Sequence, residues 1–128
     1  MKRAYFDTSA IVKLAHEEPY SQSLIDYLEE KVVESSTSVL AAVEVARALR
    51  RAGAPDDQSV IGFYLLALDN DICREASLLG PPGLRSLDAI HLATALAIGD
   101  RELEFITYDD RQADAARQAG LKVVQPGR

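Results

Sequence analysis

The sequence predicts an α/β fold of three layers, in which a central, mainly parallel β-sheet of about 4–5 strands is flanked by helices. Short segments rich in β-branched or aromatic residues alternate with helical apolar patterns, which is typical of parallel sheets with helical crossovers. The chain has 128 residues, 48% hydrophobic and 27% charged, as expected for one globular domain. No repeat, linker or low-complexity tract interrupts the pattern, so we expect residues 1–128 to form a single domain.

The first part of the chain alternates between strand and helix signals. Ser9 is a residue type that caps helices, and Pro19 ends the segment that follows it. Gly53 and Pro55 mark the end of a strong third helix. The expected elements are a strand at 3–6, a helix at 9–15, a helix from Ser21, a strand at 32–36 and a helix at 38–51 with apolar residues at Val39, Leu40, Val43, Ala46 and Leu49.

The second part of the chain contains one ambiguous segment and a clearer series after it. Residues 60–68 form a nearly continuous apolar run that fits a buried strand or a helix leading into a strand, and we favour the helix followed by a strand. Residues 86–98 are apolar on nearly all sides, which is typical of a buried helix. The other expected elements are a helix at 71–79, a loop at 80–83, a strand at 103–107, a helix at 111–119 and a strand at 121–124.

Charge and cysteine content exclude several classes of protein. The formal net charge of −6 disfavours a protein that binds nucleic acid through a basic groove alone. An acidic excess fits solubility, a basic partner, or carboxylates gathered around divalent cations. Cys73 is the single cysteine, which excludes an internal disulfide and a thiolate zinc cluster. Since no signal peptide or membrane-spanning segment is evident, we expect a soluble, cytoplasmic protein with no membrane partner.

Four acidic residues occupy positions where an acid needs an explanation. Two follow predicted strands, one interrupts an apolar helix, and one lies in the first turn of the buried helix. Each has a purely structural explanation when it is taken singly. These explanations are turn chemistry for Asp7, a surface pair with Arg47 for Glu44, the helix dipole for Asp88, and a capping box with Gln112 for Asp109.

Taken together, the four acids point to a metal site. In a parallel α/β fold, strand ends and adjoining helices meet at one edge of the sheet, where ligands gather. Carboxylates about 5 Å apart repel by roughly 3 kcal/mol per pair at an effective dielectric constant of about 20. Protonation or a bound cation relieves such repulsion, and carboxylate oxygens suit Mg²⁺ and Mn²⁺. The leading hypothesis is a divalent-metal site built from Asp7, Glu44, Asp88 and Asp109.

Four segments resemble the motifs of PIN domains of the VapC toxin type. The segment 5–14, YFDTSAIVKL, resembles the first motif, and the segment 38–49 with its single glutamate resembles the second. The segment 84–95, LRSLDAIHLATA, closely resembles the third motif of the family. The segment FITYD at 105–109, with Arg111, resembles the last motif. The resemblance covers almost the whole chain and is weakest between 52 and 69.

The resemblance implies a PIN-like fold and a metal-dependent endoribonuclease. One or two Mg²⁺ or Mn²⁺ ions would activate water, orient the scissile phosphate and stabilise the leaving oxygen. His91 is expected to be a buried, hydrogen-bonded residue rather than a ligand. Asp110 would start a helix or act as an outer ligand. The residues implied for the site are Asp7, Glu44, Asp88 and Asp109 as the catalytic and metal-binding quartet, and Thr8, Ser9 and Thr107 as polar groups that support it.

The resemblance also implies substrates and partners. The chain would be the toxin of a type II toxin–antitoxin pair that cleaves structured RNA, such as tRNA or rRNA, and is inhibited by a cognate VapB-like antitoxin. A homodimer is expected, within a heterotetramer or larger complex with the antitoxin. The apolar helices that begin at Ser21 and Ser38 are candidates for its interface. The side chains expected to guide the RNA are Lys13, Arg47, Arg85 and Arg111.

Three alternative classes are weighed against this interpretation. A phosphoacceptor receiver domain would need an acidic pair at the end of the first strand and a lysine ending a late strand, and the sequence has neither. A haloacid-dehalogenase-like phosphatase would begin with Asp-x-Asp, but Ser9 stands at the second position. A non-catalytic PIN-like module that binds nucleic acid or protein stays open, because ligands alone do not establish turnover.

Overall fold

A computed structural model describes residues 1–54 and 60–128 of the chain. Helices and strands alternate within these residues, as the sequence predicts. In chain order the elements are β1 (Lys2–Phe6), α1 (Thr8–Ala15), α2 (Ser21–Lys31), β2 (Val32–Ser38), α3 (Val39–Arg51), β3 (Tyr64–Leu66), α4 (Asn70–Ala76), α5 (Ser86–Ala97), β4 (Glu104–Ile106), α6 (Asp110–Gln118) and β5 (Lys122–Val124).

The strands form one sheet with helices on both faces. Their order is β3-β2-β1-β4-β5, and each neighbouring pair is parallel. Successive side chains of a strand point to opposite faces. Ala4 and Phe6 of β1 accordingly pack with α1, α2 and α3, whereas Tyr5 packs with α5 and α6. The predicted three-layer α/β fold is therefore confirmed.

The strand order places a crevice between β1 and β4. From β1 the chain adds β2 and β3 on one side of the sheet, and it later adds β4 and β5 on the other. Such a reversal opens a ligand crevice beyond the carboxyl ends of the two flanking strands. Phe6 is paired with Ile106, so Asp7 and Thr107 follow at the same level of the sheet. The Asp7 N–H donates to the Ile106 carbonyl at 3.1 Å.

Two aspartates at the crevice also begin the helices that leave it. Asp7 caps α1 by accepting a hydrogen bond from the Ala10 N–H, and Asp109 caps α6. The prediction that Ser9 caps the first helix is wrong, because Asp7 does so and the Ser9 hydroxyl instead donates to Asp7 Oδ1 at 2.6 Å. Ser38 begins α3 in the same way, by accepting from the Leu40 N–H.

The element boundaries differ from the predicted ones mainly between α3 and α5. The helix favoured within 60–68 is wrong, since residues 60–63 form a turn with Gly62 at φ +92 and β3 follows it. The helix predicted over 71–79 corresponds to α4, which ends earlier than predicted, at Ala76. Gly53 ends the third helix with φ +71, as a glycine there allows, and Pro55 lies outside the described residues.

Of the apolar residues that marked helix α3 in the sequence, Leu49 lies on its buried face, whereas the other buried residues are different ones. Ala41, Val45 and Leu49, each four positions apart, form its buried face. Val39 and Val43 are exposed. The helix therefore carries an apolar strip on its outer surface. No helix in the described ranges combines the length and the apolar character that crossing a membrane would require.

Candidate active site

Asp7 lies at the carboxyl end of β1 and is buried, with 4% of its surface exposed. Its Oδ1 accepts hydrogen bonds from the Ser9 hydroxyl at 2.6 Å and the Ala10 N–H at 3.1 Å. Its Oδ2 accepts one from the Thr107 hydroxyl at 2.5 Å. Burial raises the pKa of Asp7 above the ordinary aspartate value, although these hydrogen bonds oppose the change. The fold therefore leaves the charged form of Asp7 poorly compensated.

Glu44 comes from α3 and is fixed through one carboxylate oxygen. Its Oε1 accepts from the Thr8 hydroxyl at 2.8 Å and lies 2.9 Å from His91 Nε2. Desolvation acts to raise the pKa of Glu44, but the interactions with His91 and the Thr8 hydroxyl outweigh it, so this pKa is lowered. A surface ion pair with Arg47 could have explained Glu44. The structure describes both residues, and they do not form this ion pair. Glu44 is instead tied to α1 and α5.

Asp88 and Asp109 lie on either side of one guanidinium group. Arg85 Nε is 3.5 Å from Asp88 Oδ2, and Arg85 Nη2 is 3.7 Å from Asp109 Oδ2. Desolvation raises the pKa of Asp88; the Arg85 charge lowers it, and the carboxylates of Asp109 and Glu44 raise it further, with a net increase. Asp88 therefore lies within electrostatic reach of two other acids of the predicted quartet.

Thr107 connects Asp7 to Asp109. Its hydroxyl donates to Asp7 and accepts from the Asp109 N–H at 3.1 Å. Asp109 Oδ1 in turn accepts from the N–H groups of Arg111 and Gln112 at the start of α6. Hydrogen bonds and ion pairs thus link Asp7, Asp88 and Asp109 at the carboxyl edge of the sheet. Glu44 is held by Thr8 and His91 and is close enough to Asp88 for its charge to raise the pKa of Asp88.

The donor set suits a hard divalent cation. All four acids offer carboxylate oxygens, which are the ligands that Mg²⁺ and Mn²⁺ prefer. The raised pKa values of Asp7 and Asp88 show that positive charge placed there would be favourable. Within residues 1–54 and 60–128, however, no group of three or more His, Cys, Asp or Glu residues is arranged so that it could hold a metal ion. In the structure, the Arg85 guanidinium supplies positive charge between Asp88 and Asp109.

The residues expected to support the acids lie in two environments. Thr8, Ser9 and Thr107 each hydrogen-bond one of the acids directly. Asp110 is the first residue of α6, which agrees with the expectation that it starts a helix. Its Oδ1 pairs with Arg128 Nη1 at 2.7 Å, and this contact lowers the pKa of Asp110.

The four cations expected to guide RNA are not equally close to the acids. Arg85 and Arg111 line a cavity of about 440 Å³ that also contains Asp88. Arg47 lines a separate cavity of about 290 Å³ with Arg50 and Arg51. Lys13 is turned inwards, with Nζ 3.3 Å from Glu18 Oε1 and 4.8 Å from the centre of the Tyr108 ring.

Two contacts at the site were not predicted from the sequence. The capping box expected between Asp109 and Gln112 forms only in part: Asp109 accepts from the Gln112 N–H at 3.3 Å, but the Gln112 side chain does not return to the Asp109 N–H. Gln112 Nε2 instead donates to the Asp88 carbonyl at 3.0 Å and so joins α6 to α5. His91 is buried and hydrogen-bonded, as expected, but its partners Tyr5 and Glu44 were not predicted. Only the polar character of His91 within an otherwise apolar helix signals such a network.

Comparison with protein families identifies a match over most of the chain. The model of the PIN domain matches residues 4–118. Ribonuclease VapC46 of Mycobacterium tuberculosis is 43% identical over 133 residues, which cover 98% of this chain and 99% of that protein. Ribonuclease VapC35 of the same species is 40% identical over 131 residues and 96% of each chain.

Solved structures give the same result for the fold. A toxin–antitoxin complex from Klebsiella pneumoniae contains a chain that is 25% identical, with a TM-score of 0.72 over 96% of this chain and 97% of that one. The Mycobacterium tuberculosis toxin VapC20, described as cleaving the sarcin–ricin loop, superposes with a TM-score of 0.76 at 16% identity, over 96% and 99% of the two chains. At that identity the likeness concerns the fold alone.

Proposed function

Because the chain belongs to the PIN domain family and is related to its VapC ribonucleases, we propose that it is an endoribonuclease of the VapC type whose activity depends on Mg²⁺ or Mn²⁺. The observation that carries the proposal is the position of four acids from β1, α3, α5 and the end of β4 around one crevice. A fold gains no stability from gathering carboxylates that repel one another, so a function is the better explanation. The whole of residues 1–128 acts as one catalytic domain in this proposal.

The residues that would hold the ion or ions are Asp7, Glu44, Asp88 and Asp109. When bound, such an ion lowers the pKa of an attacking water and offsets negative charge on the phosphate. The chain's own part is to hold these carboxylates in fixed directions. Ser9 and Thr107 do this for Asp7, and Thr8 does it for Glu44. Asp110 lies outside this set of contacts and starts α6.

The RNA strand is proposed to approach through the cavity beside Asp88. Arg85 and Arg111 line this cavity, and guanidinium groups pair well with phosphate oxygens. Arg85 is 72% exposed at its side chain, so it is free to turn from the two aspartates towards a phosphate. Arg47 would contact a more distant part of the strand, together with Arg50 and Arg51. These cations compensate locally for the net charge of −6.

The proposed biological role is that of a toxin in a toxin–antitoxin pair. The Klebsiella pneumoniae relative is part of a toxin–antitoxin complex, and VapBC-1 of Haemophilus influenzae is another solved complex with the same fold. We therefore propose a VapB-like antitoxin as partner, a homodimer of this chain within that complex, and the cytoplasm as its location. The proposed substrate is a structured RNA, such as a tRNA or rRNA.

The test is RNA cleavage by purified protein with and without Mg²⁺. Asp7→Asn and Asp88→Asn should each lower the cleavage rate by more than the roughly 10- to 100-fold typical of groups that only support a ligand. Excess chelator should abolish cleavage by the wild-type protein. Mapping the RNA ends after induced expression would identify the substrate.

The matched control is Asp69→Asn. Asp69 also caps a helix, α4, by accepting from the Ile72 N–H at 2.8 Å, but it does not contact the four acids. Its variant should cleave RNA at the wild-type rate. Full activity of either site variant, or of the wild type in chelator, would reject the mechanism. RNA binding without any cleavage would favour the non-catalytic module.

A further inference from the structure

A buried chain of polar contacts runs from the sheet to Glu44. His91 is 1% exposed and comes from α5. Its Nδ1 lies 2.7 Å from the Tyr5 hydroxyl, and its Nε2 lies 2.9 Å from Glu44 Oε1 and 3.3 Å from Thr8 Oγ1. Tyr5 is fully buried on β1. The contacts therefore join the central strand, α5 and α1 to one carboxylate of α3.

The partners of His91 determine which of its ring nitrogens carries hydrogen. The Glu44 carboxylate can only accept, so His91 Nε2 must donate to it. In the neutral imidazole Nδ1 then has no hydrogen and accepts one from the Tyr5 hydroxyl. Burial raises the pKa of Tyr5, which keeps this hydroxyl protonated and able to donate. Because both nitrogens are engaged, neither is left to bind a metal ion.

The consequence for Glu44 is that its two oxygens differ. Oε1 accepts from both His91 and Thr8, whereas Oε2 has no hydrogen-bond partner among the residues that the structure describes. A glutamate on a helix surface can otherwise adopt many rotamers, and ordering them opposes binding. Here the side chain is held in one direction before any ligand arrives. Oε2 is the oxygen that this arrangement leaves available.

We propose that His91, fixed by the Tyr5 hydroxyl, is a positioning residue that presents Glu44 to the divalent ion through a single carboxylate oxygen. The inference rests on the proposed function of the four acids. Hydrogen-bond partners of metal ligands typically contribute about 10- to 100-fold to metal affinity. The effect of His91 and Tyr5 is therefore on metal binding, although neither residue touches the ion.

The test measures Mn²⁺ binding by calorimetry on purified full-length protein, independently of cleavage. Tyr5→Phe removes only the hydroxyl, and His91→Asn is too short to reach Glu44. Each should raise the dissociation constant for Mn²⁺ by about 10-fold or more. His91→Gln keeps an N–H group that can reach Glu44, so its dissociation constant should lie closer to the wild-type value. Cleavage by the two weakened variants should recover as Mn²⁺ is raised, with the KM for RNA unchanged.

The matched control is Tyr27→Phe, which removes a partly buried hydroxyl that donates to Glu104 at the start of β4, the opposite end of that strand from Asp109. Its dissociation constant for Mn²⁺ should change by less than about twofold, since it lies outside the network. Circular dichroism establishes folding, and Tyr5→Phe carries the test if His91→Asn does not fold. Wild-type affinity in Tyr5→Phe and folded His91→Asn, with binding lost in Asp7→Asn, would overturn the positioning role while the proposed function stands. Absence of Mn²⁺ binding by the wild type would overturn both.

Discussion

Asp7 is a buried carboxylate held by three hydrogen bonds, and its raised pKa means that ionisation opposes folding. The folded state binds the proton more tightly than the unfolded state does, so the protein loses stability as the pH rises above the ordinary aspartate value of 3.8. Asp7→Asn removes the charge and keeps the shape. In chelator at neutral pH this variant should melt at a higher temperature, by on the order of 4 °C for each 1 kcal/mol gained. Thermal unfolding followed by circular dichroism measures the change.

The pH dependence distinguishes this explanation from a general effect of the substitution. The gain in melting temperature should be small near pH 4 and should grow towards pH 7, because above the ordinary aspartate value the unfolded wild-type chain releases a proton that the folded state holds more tightly. Asp69→Asn, at an exposed helix cap, should show no such growth. A gain that is equal at both pH values, or a lower melting temperature at pH 7, would contradict the argument.

At the residue scale, the sequence predicts acids better than it predicts their partners. Asp7 and Asp109 could be recognised because each lies just beyond a strand, Glu44 because it interrupts an apolar helix, and Asp88 because it lies in the first turn of an apolar helix. The Arg85 contact with both Asp88 and Asp109 could not be predicted, since it depends on how α5 and α6 meet in space. The same holds for Gln112, whose side chain turns from its own helix cap to the Asp88 carbonyl.

At the element scale, helix capping and the proposed metal binding share residues. Asp7 caps α1 and Asp109 caps α6, and both helices begin where a strand of the crevice ends. Free N–H groups at a helix start favour negative charge. The structural explanation of these acids therefore holds, and it is compatible with the proposed functional one. An aspartate at such a position is stabilised by the helix and still has oxygen lone pairs for a ligand.

The cap of α3 gives an element-scale prediction. Ser38 is buried and accepts from the Leu40 N–H at 3.2 Å, which fixes the start of the helix that carries Glu44. Ser38→Ala should lower the free energy of unfolding by about 1 kcal/mol. Because the start of α3 shifts or frays, the Mn²⁺ dissociation constant should also rise. Urea unfolding and calorimetry measure the two effects.

Asp69→Ala provides the comparison for the cap of α3. It removes the cap of α4, which carries none of the four acids, and should cost a similar amount of stability. Its affinity for Mn²⁺ should equal that of the wild type. If both variants lose stability and neither loses affinity, the start of α3 does not control the position of Glu44.

Helix α5 was predicted closely, whereas the segment that leads into β3 was not. Helix α5 is confirmed to within one residue at its end because twelve residues carry its apolar pattern. Strand β3 has only three residues, too few for alternation to be recognised, and the apolar residues before it suggested a helix. In the structure, the apolar residues before β3 belong to a turn that contains Gly62. A glycine in the sequence does not by itself distinguish such a turn from a bulge.

At the scale of the whole molecule, the outer strip of α3 suggests where two copies meet. Val39 and Val43 lie one turn apart, and Val43 is 59% exposed. If this strip forms part of the proposed homodimer, Val43→Asp should give a monomer in light scattering after size-exclusion chromatography, because a charge cannot be buried unpaired. Leu78→Asp changes a side chain that is 78% exposed beyond α4 and should leave the dimer intact. If both variants have the mass of a dimer, this face of α3 is not part of the dimer interface.

The bond between Asp7 and Thr107 joins positions that are 100 residues apart. A ribosome must therefore translate through Asp109 before the first acid can meet the last, and any shorter nascent chain lacks Asp109 altogether. Domains generally fold as units once enough chain has emerged. For a ribonuclease of the proposed kind, translation itself delays RNA cleavage: the four acids are complete only after the codon for Asp109 has been read, and an antitoxin that is already present can bind the product as soon as it folds.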